Sequence, residues 1–260
     1  MSVVVDPLVP MRVERDGGVL RVRFDAGTRL NVMTQALLRE LGSLFARLPS
    51  DVGAVVLSAA SAKGFMVGGD LRELESMTAD DAEALARFGA RVFEAVLTCP
   101  RPVIAAVGGD ALGAGFLLAL AADVRVAVPD ARLGYPEIRV GLMPGTGGTD
   151  LLVRLVGLAT ARRICLTGEA MSAARCLELG LVDEVCASDQ LDERALRWAT
   201  TLQALDATAF AETKAALWVA ASADLQRSRE REVEAFRRCF ESPGHRERIR
   251  RFLSRGGGAS

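Results

Sequence analysis

Between Val19 and Gln190 the chain alternates short apolar runs with longer stretches of helical spacing, and after Gln190 the short runs stop. A chain patterned this way builds βα units, with helices covering a sheet of largely parallel strands. Val19–Phe24 alternates apolar and polar residues, and residues 54–57, 102–107 and 124–128 also read as strands. Helical spacing covers residues 33–48, with Thr34 as cap, and 80–97, with acidic residues in the first turn where the dipole favours them. It also covers 113–121, which is apolar throughout, and then 146–156 and 159–166. Residues 189–205, 208–221, 224–240 and 244–253 are helical without intervening strands. The expected fold is α/β: a core over residues 12–190, a helical C-terminal subdomain over 191–255 and a disordered tail at 256–260. Residues 1–11 read as a loose leader, and no exact internal repeat is visible.

Composition narrows the function. Half of the 260 residues are apolar, enough for a sizeable core, and the net charge is −1, so nothing global attracts nucleic acid or an anionic membrane. No run reaches the roughly eighteen apolar residues of a membrane span. No basic and apolar leader of secretory type opens the chain. The five cysteines are scattered without a C-x-x-C, as reduced thiols of a cytoplasmic protein would be. The only histidine, His245, lies in a polar helical tail and reads as a surface residue, and no His/Cys cluster suggests a metal.

Three segments carry chemistry. Residues 62–70 read A-K-G-F-M-V-G-G-D, residues 105–120 read A-A-V-G-G-D-A-L-G-A-G-F-L-L-A-L, and residues 135–149 read Y-P-E-I-R-V-G-L-M-P-G-T-G-G-T. Gly68 and Gly69 allow a tight turn and close approach to a ligand, and Asp70 can cap a helix starting near Leu71. The first amides of the helix at Gly113 have no intrahelical partner and carry the positive end of its dipole. The small residues Gly113, Ala114 and Gly115 leave those amides open to an acyl oxygen. A phosphate cradle would require a Lys-Ser/Thr or a G-x-G-x-x-G spacing, and neither is present. Glu137 follows Pro136 among apolar neighbours Tyr135, Ile138, Leu142 and Met143, so desolvation should raise its pKa toward that of a general base.

Together the segments resemble the crotonase, or enoyl-CoA hydratase/isomerase, superfamily from about Val13 to Arg255, through K-x-F-x-x-G-x-D, A-x-x-x-G-x-A-x-G-x-G and P-E-x-x-x-G-x-x-P-x-x-G-G-T. The C-terminal E-A-F-R-R-C-F around Phe236 and Phe240 is also similar. The resemblance implies a crotonase-type ββα spiral core and a thioester carbonyl held between the N–H groups of Gly69 and Ala114. Each such donor is worth roughly 3–4 kcal/mol to an enolate oxyanion. It implies Glu137 as the catalytic acid/base. It implies no permanently bound cofactor, coenzyme A (or an acyl-carrier-protein phosphopantetheine) as part of the substrate, and a homotrimer or hexamer. The thioester arm would run against Met66, Val67, Gly68, Asp70 and Leu71. Arg29, Phe236, Phe252 and Arg255 would meet the adenine and phosphates. The stretch 245–255 holds five arginines among its eleven residues.

The sequence departs from the family's hydratases at one point. They carry a second glutamate one helical turn past the second amide, where this chain has Leu117, flanked by Phe116, Leu118, Ala119 and Leu120. Leu117 should therefore line the acyl pocket, with Phe88, Phe93, Tyr135 and Leu142 as further bulky candidates. A lone carboxylate suits double-bond migration better than hydration. It also suits decarboxylation or C–C bond formation through the same enolate. A non-catalytic or RNA-binding relative is the reading from another class, since residues 227–238 and 246–251 are arginine-rich, although the helix at 34–47 holds only Arg39 and Arg47.

Overall fold

The computed structural model describes residues 9–27, 30–60, 64–242 and 244–254, without the side chains of 225, 252 and 253. The chain begins with an antiparallel pair, β1 (Met11–Asp16) and β2 (Val19–Phe24), and a helix, α1 (Gln35–Ala46), whose first turn Thr34 caps by accepting from Leu37 N. Then come β3 (Ala54–Ala59), β4 (Gly64–Met66), α2 (Leu71–Glu75) and α3 (Ala79–Leu97); next β5 (Val103–Val107), β6 (Asp110–Leu112) and α4 (Ala114–Ala121). The third round is β7 (Val124–Ala127), β8 (Arg132–Gly134), a 3-10 turn (Glu137–Val140) and α5 (Gly148–Thr167). After β9 (Met171–Ser172), α6 (Ala173–Glu178) and β10 (Glu184–Val185), the chain continues as α7 (Leu191–Gln203), α8 (Ala207–Ser222), α9 (Leu225–Glu241) and α10 (His245–Ser254).

Three rounds thus repeat strand–strand–helix. The first strand of each joins a six-stranded sheet ordered β1-β2-β3-β5-β7-β10, and the second joins a four-stranded sheet ordered β4-β6-β8-β9. Each strand pairs in parallel with its counterpart in the preceding round, so the chain winds as a spiral of ββα turns. β5 and β7 are buried along their whole length, as parallel strands covered on both faces must be. α4 is buried on nearly every side, which explains its unbroken apolar composition. α7 lays Leu191, Ala195 and Ala199, one face at four-residue spacing, across β2, β3, β5 and β7. Among the described residues no helix is long and apolar enough to cross a membrane, no group of His, Cys, Asp and Glu is arranged to hold a metal, and all five cysteines are unpaired.

The structure corrects two expectations. The region read as a leader is structured from Val9: that residue is buried, and Met11 opens β1. The strands β4, β6 and β8, three residues each, were not expected. The two helices expected over 146–156 and 159–166 are present as the two halves of α5, parted by a kink at Gly157, whose φ of +71° breaks the helical path. The expected tail 256–260 lies outside the described residues.

α8 and α9 pack on each other, and α8 is tied to the core by a buried ion pair, Lys214 Nζ to Asp123 Oδ2 at 2.8 Å. The same oxygen accepts from Val103 N at 2.8 Å. Burial pushes the Asp123 carboxyl up, and Lys214 pulls it back. Replacing Lys214 by Met should cost about 3–5 kcal/mol in urea unfolding, because it strands a buried carboxylate. A loss below about 1 kcal/mol would mean the pair behaves as a solvated one.

Candidate active site

The smaller sheet positions the site. Met66 pairs with Ala111, and Leu112 with Gly134, so β4, β6 and β8 end along one edge of it. The three chemistry-bearing segments leave the carboxyl ends of these strands: Val67 to Asp70 after β4, Gly113 to Gly115 after β6, and Tyr135 to Glu137 after β8. Loops at the carboxyl ends of parallel strands share one side of the sheet, the place where α/β folds bind ligands. Here they touch. A Cβ placed on Gly113 would lie 3.3 Å from Gly68 Cα, and one on Gly115 only 1.9 Å from Met66 O. Gly68 and Gly113 hold φ of +101° and +56°, which an L side chain rarely adopts. Gly113 N donates to Gly134 O at 2.9 Å and ties the third segment to the second.

Two amides at this junction have no hydrogen-bond partner among the described residues. Gly69 bridges Met33, but the bonds of that bridge run from Met33 N to Gly68 O and from Asp70 N to Met33 O, leaving the Gly69 N–H without an acceptor among the described residues. Ala114 is the first residue of α4, so its N–H has no intrahelical acceptor and sits at the positive end of the helix. Both residues are half-buried, which leaves them open to a ligand.

Glu137 closes the corner. Its Oε1 would stand 3.0 Å from a Cβ on Gly113, and its Oε2 is buried without a hydrogen-bond partner among the described residues. Burial raises its pKa, as expected. The expected cause was wrong in detail, because Ile138, Leu142 and Met143 are exposed. Of the four expected neighbours only Tyr135 is buried, and Gly113 and α5 also approach Glu137. The carboxylate's charge, after desolvation, raises the Tyr135 phenol and the Cys165 thiol on α5.

Leu117 lies one turn beyond Ala114, almost fully buried, and lines a cavity of about 350 Å³ with Phe93, Leu97, Leu151, Thr146 and Trp218. Two carboxylates also border this cavity, Glu94 from α3 and Asp150 from α5, and both are exposed. Asp150 is engaged by Arg154 at 2.9 and 3.0 Å. These acids come from other helices, so reading along α4 could not find them. Phe88 lines a separate cavity of about 490 Å³ with Met77 and Leu85, between α1, α2 and α3. Leu142 is exposed.

The remaining candidates divide. Asp70 caps α2 by accepting from Arg72 N at 2.9 Å, and Leu71 is exposed beside it. Val67 is half-buried, its amide donating to Asn31 O. The Met66 side chain is fully buried, and its carbonyl oxygen would lie 1.9 Å from a Cβ on Gly115, so this residue packs the junction. Phe236 is exposed on α9 and stacks on Phe240 at 5.0 Å; α9 packs chiefly on α8, and this chain does not bring Phe236 to the junction. His245 is half-buried, packed on Phe240 with Nδ1 3.0 Å from Ser242 O, and faces no nucleophile. Arg29, Arg255 and the Phe252 side chain lie outside the described residues.

Residues 14–257 match the family model described as enoyl-CoA hydratase/isomerase. A short-chain-enoyl-CoA hydratase of Clostridium acetobutylicum is 31% identical over 245 residues, 94% of each chain. A crotonyl-CoA hydratase of Syntrophomonas wolfei is 30% identical over 228 residues, 87% of this chain and 88% of that one. Among solved structures, an enoyl-CoA hydratase from Bacillus anthracis superposes with a TM-score of 0.89 at 29% identity, over 95% of this chain and 96% of that one.

Proposed function

The chain belongs to the enoyl-CoA hydratase/isomerase family and has its crotonase-type α/β fold, and from that premise we propose that it moves a proton on an unsaturated acyl-CoA, with Glu137 as its single acid/base. The observation that carries this reading is the meeting of a half-buried carboxylate with two unused amides, Gly69 and Ala114, on one edge of the small sheet. The thioester oxygen accepts from both N–H groups. Glu137 takes a proton from C2 of a 3-enoyl thioester, and the C2–H electrons move into a dienolate whose charge rests on that oxygen. The same carboxyl returns the proton to C4, the dienolate collapses, and the double bond ends between C2 and C3. Two preorganised donors stabilise charge only as it develops, which lowers the barrier.

Isomerisation is favoured because Leu117 offers no second carboxylate on α4. Hydration is the second reading, supported by the hydratase names of the relatives and by Glu94 at the cavity that Leu117 lines. The apolar cavity suits the acyl tail. Coenzyme A enters as part of the substrate, and residues 191–255 are read as a helical subdomain whose Phe236, Phe252 and Arg255 meet its adenine and phosphates across a subunit boundary. Exposed Val140, Met143, Leu158 and Leu166, with Val233 and Phe236 on α9, support a homotrimer or a pair of trimers. Five unpaired thiols suit a reducing, cytoplasmic setting.

Supplying 3-enoyl-CoA and 2-enoyl-CoA in heavy water tests the choice. Deuterium at C2 and C4 with faster isomerisation than hydration is the expected result. Hydration outrunning isomerisation would reverse the preference.

A further inference from the structure

We propose that Tyr135 is a positioning residue for Glu137: its phenol and the Glu137 Oε2 together bind one water that fixes the carboxylate for proton transfer. This rests on the assignment of Glu137 above. At this corner two buried side-chain oxygens, Tyr135 OH and Glu137 Oε2, have no protein hydrogen-bond partner among the described residues. Buried tyrosine hydroxyls nearly always find one, and an unmet polar group is costly. The Tyr135 ring is 1% exposed and packed at 4.9 Å on Phe116 of α4, so the phenol cannot swing away to solvent. Its oxygen is held against Gly148 at the start of α5, where a Cβ would come within 2.7 Å; only glycine leaves that space.

Tyr135 and Glu137 are two positions apart in the chain, and both pack on the first turn of α4, at Phe116 and Gly113. The titratable groups that Glu137's charge reaches are Tyr135 and, from α5, Cys165. No arginine, lysine or histidine pairs with Glu137 among the described residues. A buried water requires two to four polar partners, and the two unpartnered oxygens are the pair proposed to hold it. The phenol donates to the water and the water donates to Oε2. Oε1, which faces Gly113 beside the Ala114 amide, is left for the substrate proton. The arrangement orients the carboxylate from behind, where α4 provides only Leu117.

Tyr135 is the chain's only tyrosine, which makes the test specific. In Tyr135→Phe, with 3-enoyl-CoA as substrate, loss of a hydrogen bond to the charged carboxylate should move the acid limb of the kcat–pH profile upward by about one unit. It should lower kcat about tenfold on that limb and leave KM within about twofold. An unmoved limb together with a raised thermal midpoint would show a merely orphaned hydroxyl and overturn the proposal. Biosynthetic 3-fluorotyrosine provides a second reading in the intact enzyme. Its single ¹⁹F resonance should titrate along the acid limb of activity and lose that titration in Glu137→Gln; a resonance flat with pH would overturn the proposal even if the phenylalanine variant did not fold. If Glu137→Gln keeps full turnover, the assignment of Glu137 fails; if it loses turnover while the fluorine stays flat, only the role of Tyr135 fails.

Discussion

Replacing Glu137 by glutamine is expected to lower turnover of 3-enoyl-CoA about 10²–10⁴-fold, the contribution of a positioned acid/base, while raising the thermal midpoint at neutral pH. The two effects share one cause. Glu137 is held partly out of water with no protein partner for one oxygen among the described residues, and burial raises its pKa. A carboxyl whose folded pKa exceeds its unfolded value binds its proton more tightly in the folded chain. Stability is then greatest below the ordinary carboxylate range and falls as pH rises through the folded pKa. Above that pKa the wild type carries the full cost of a buried charge, and glutamine, being neutral, does not. The midpoint difference should therefore shrink as pH falls through the carboxylate range. Calorimetry across pH, alongside deuterium exchange at C2 and C4, reads both effects. Retained exchange would remove Glu137 from the chemistry. A lower midpoint in the variant at neutral pH would mean that the carboxylate is not strained by burial.

How far each element can be read in one dimension depends on how it is held in place. Val19–Phe24 and β5 are legible because a buried strand must be apolar over enough residues to show a pattern. Thr34 and Asp70 are legible because a cap needs a short polar side chain at one position. The small sheet is not legible. Gly64-Phe65-Met66, Asp110-Ala111-Leu112 and Arg132-Leu133-Gly134 are too short for any period, and only pairing with one another defines them. Yet that sheet is what aligns the three motifs, whose glycines were visible one by one and whose contact was not. The environment of a side chain is legible only along its own element. Reading along α4 found Leu117 and its apolar neighbours, while Glu94 and Asp150 reach the same cavity from α3 and α5. Of the apolar residues named beside Glu137 in sequence, Ile138, Leu142 and Met143 turned outward and Tyr135 inward, while Gly113, distant in sequence, lies against its carboxylate. Tyr135 itself was visible as a bulky residue, but nothing in the linear pattern shows that its hydroxyl has no protein partner among the described residues.

The second large effect is expected at Gly115, where alanine should destabilise the fold by at least about 3 kcal/mol, at or beyond the usual cost of overpacking. A Cβ at Gly115 would lie 1.9 Å from Met66 O, 2.5 Å from Met66 C and 2.7 Å from Met66 Cβ. The first two are backbone atoms of β4, locked by its pairing with β6, so no rotamer change relieves the contact. α4 cannot retreat either, because it is buried on almost every side. The strand and the helix must move apart, and they carry the Gly69 and Ala114 amides proposed to grip one oxygen. Residual folded protein should therefore lose turnover even where its secondary structure persists. Gly180→Ala is the control: that glycine has φ +69° but open space around it, so alanine there meets only backbone strain of about 1–2 kcal/mol and should leave kcat unchanged. Urea midpoints and turnover of the two variants separate steric wedging from strain. Equal losses at both positions would mean that contact between β4 and α4 is not what holds the two amides together.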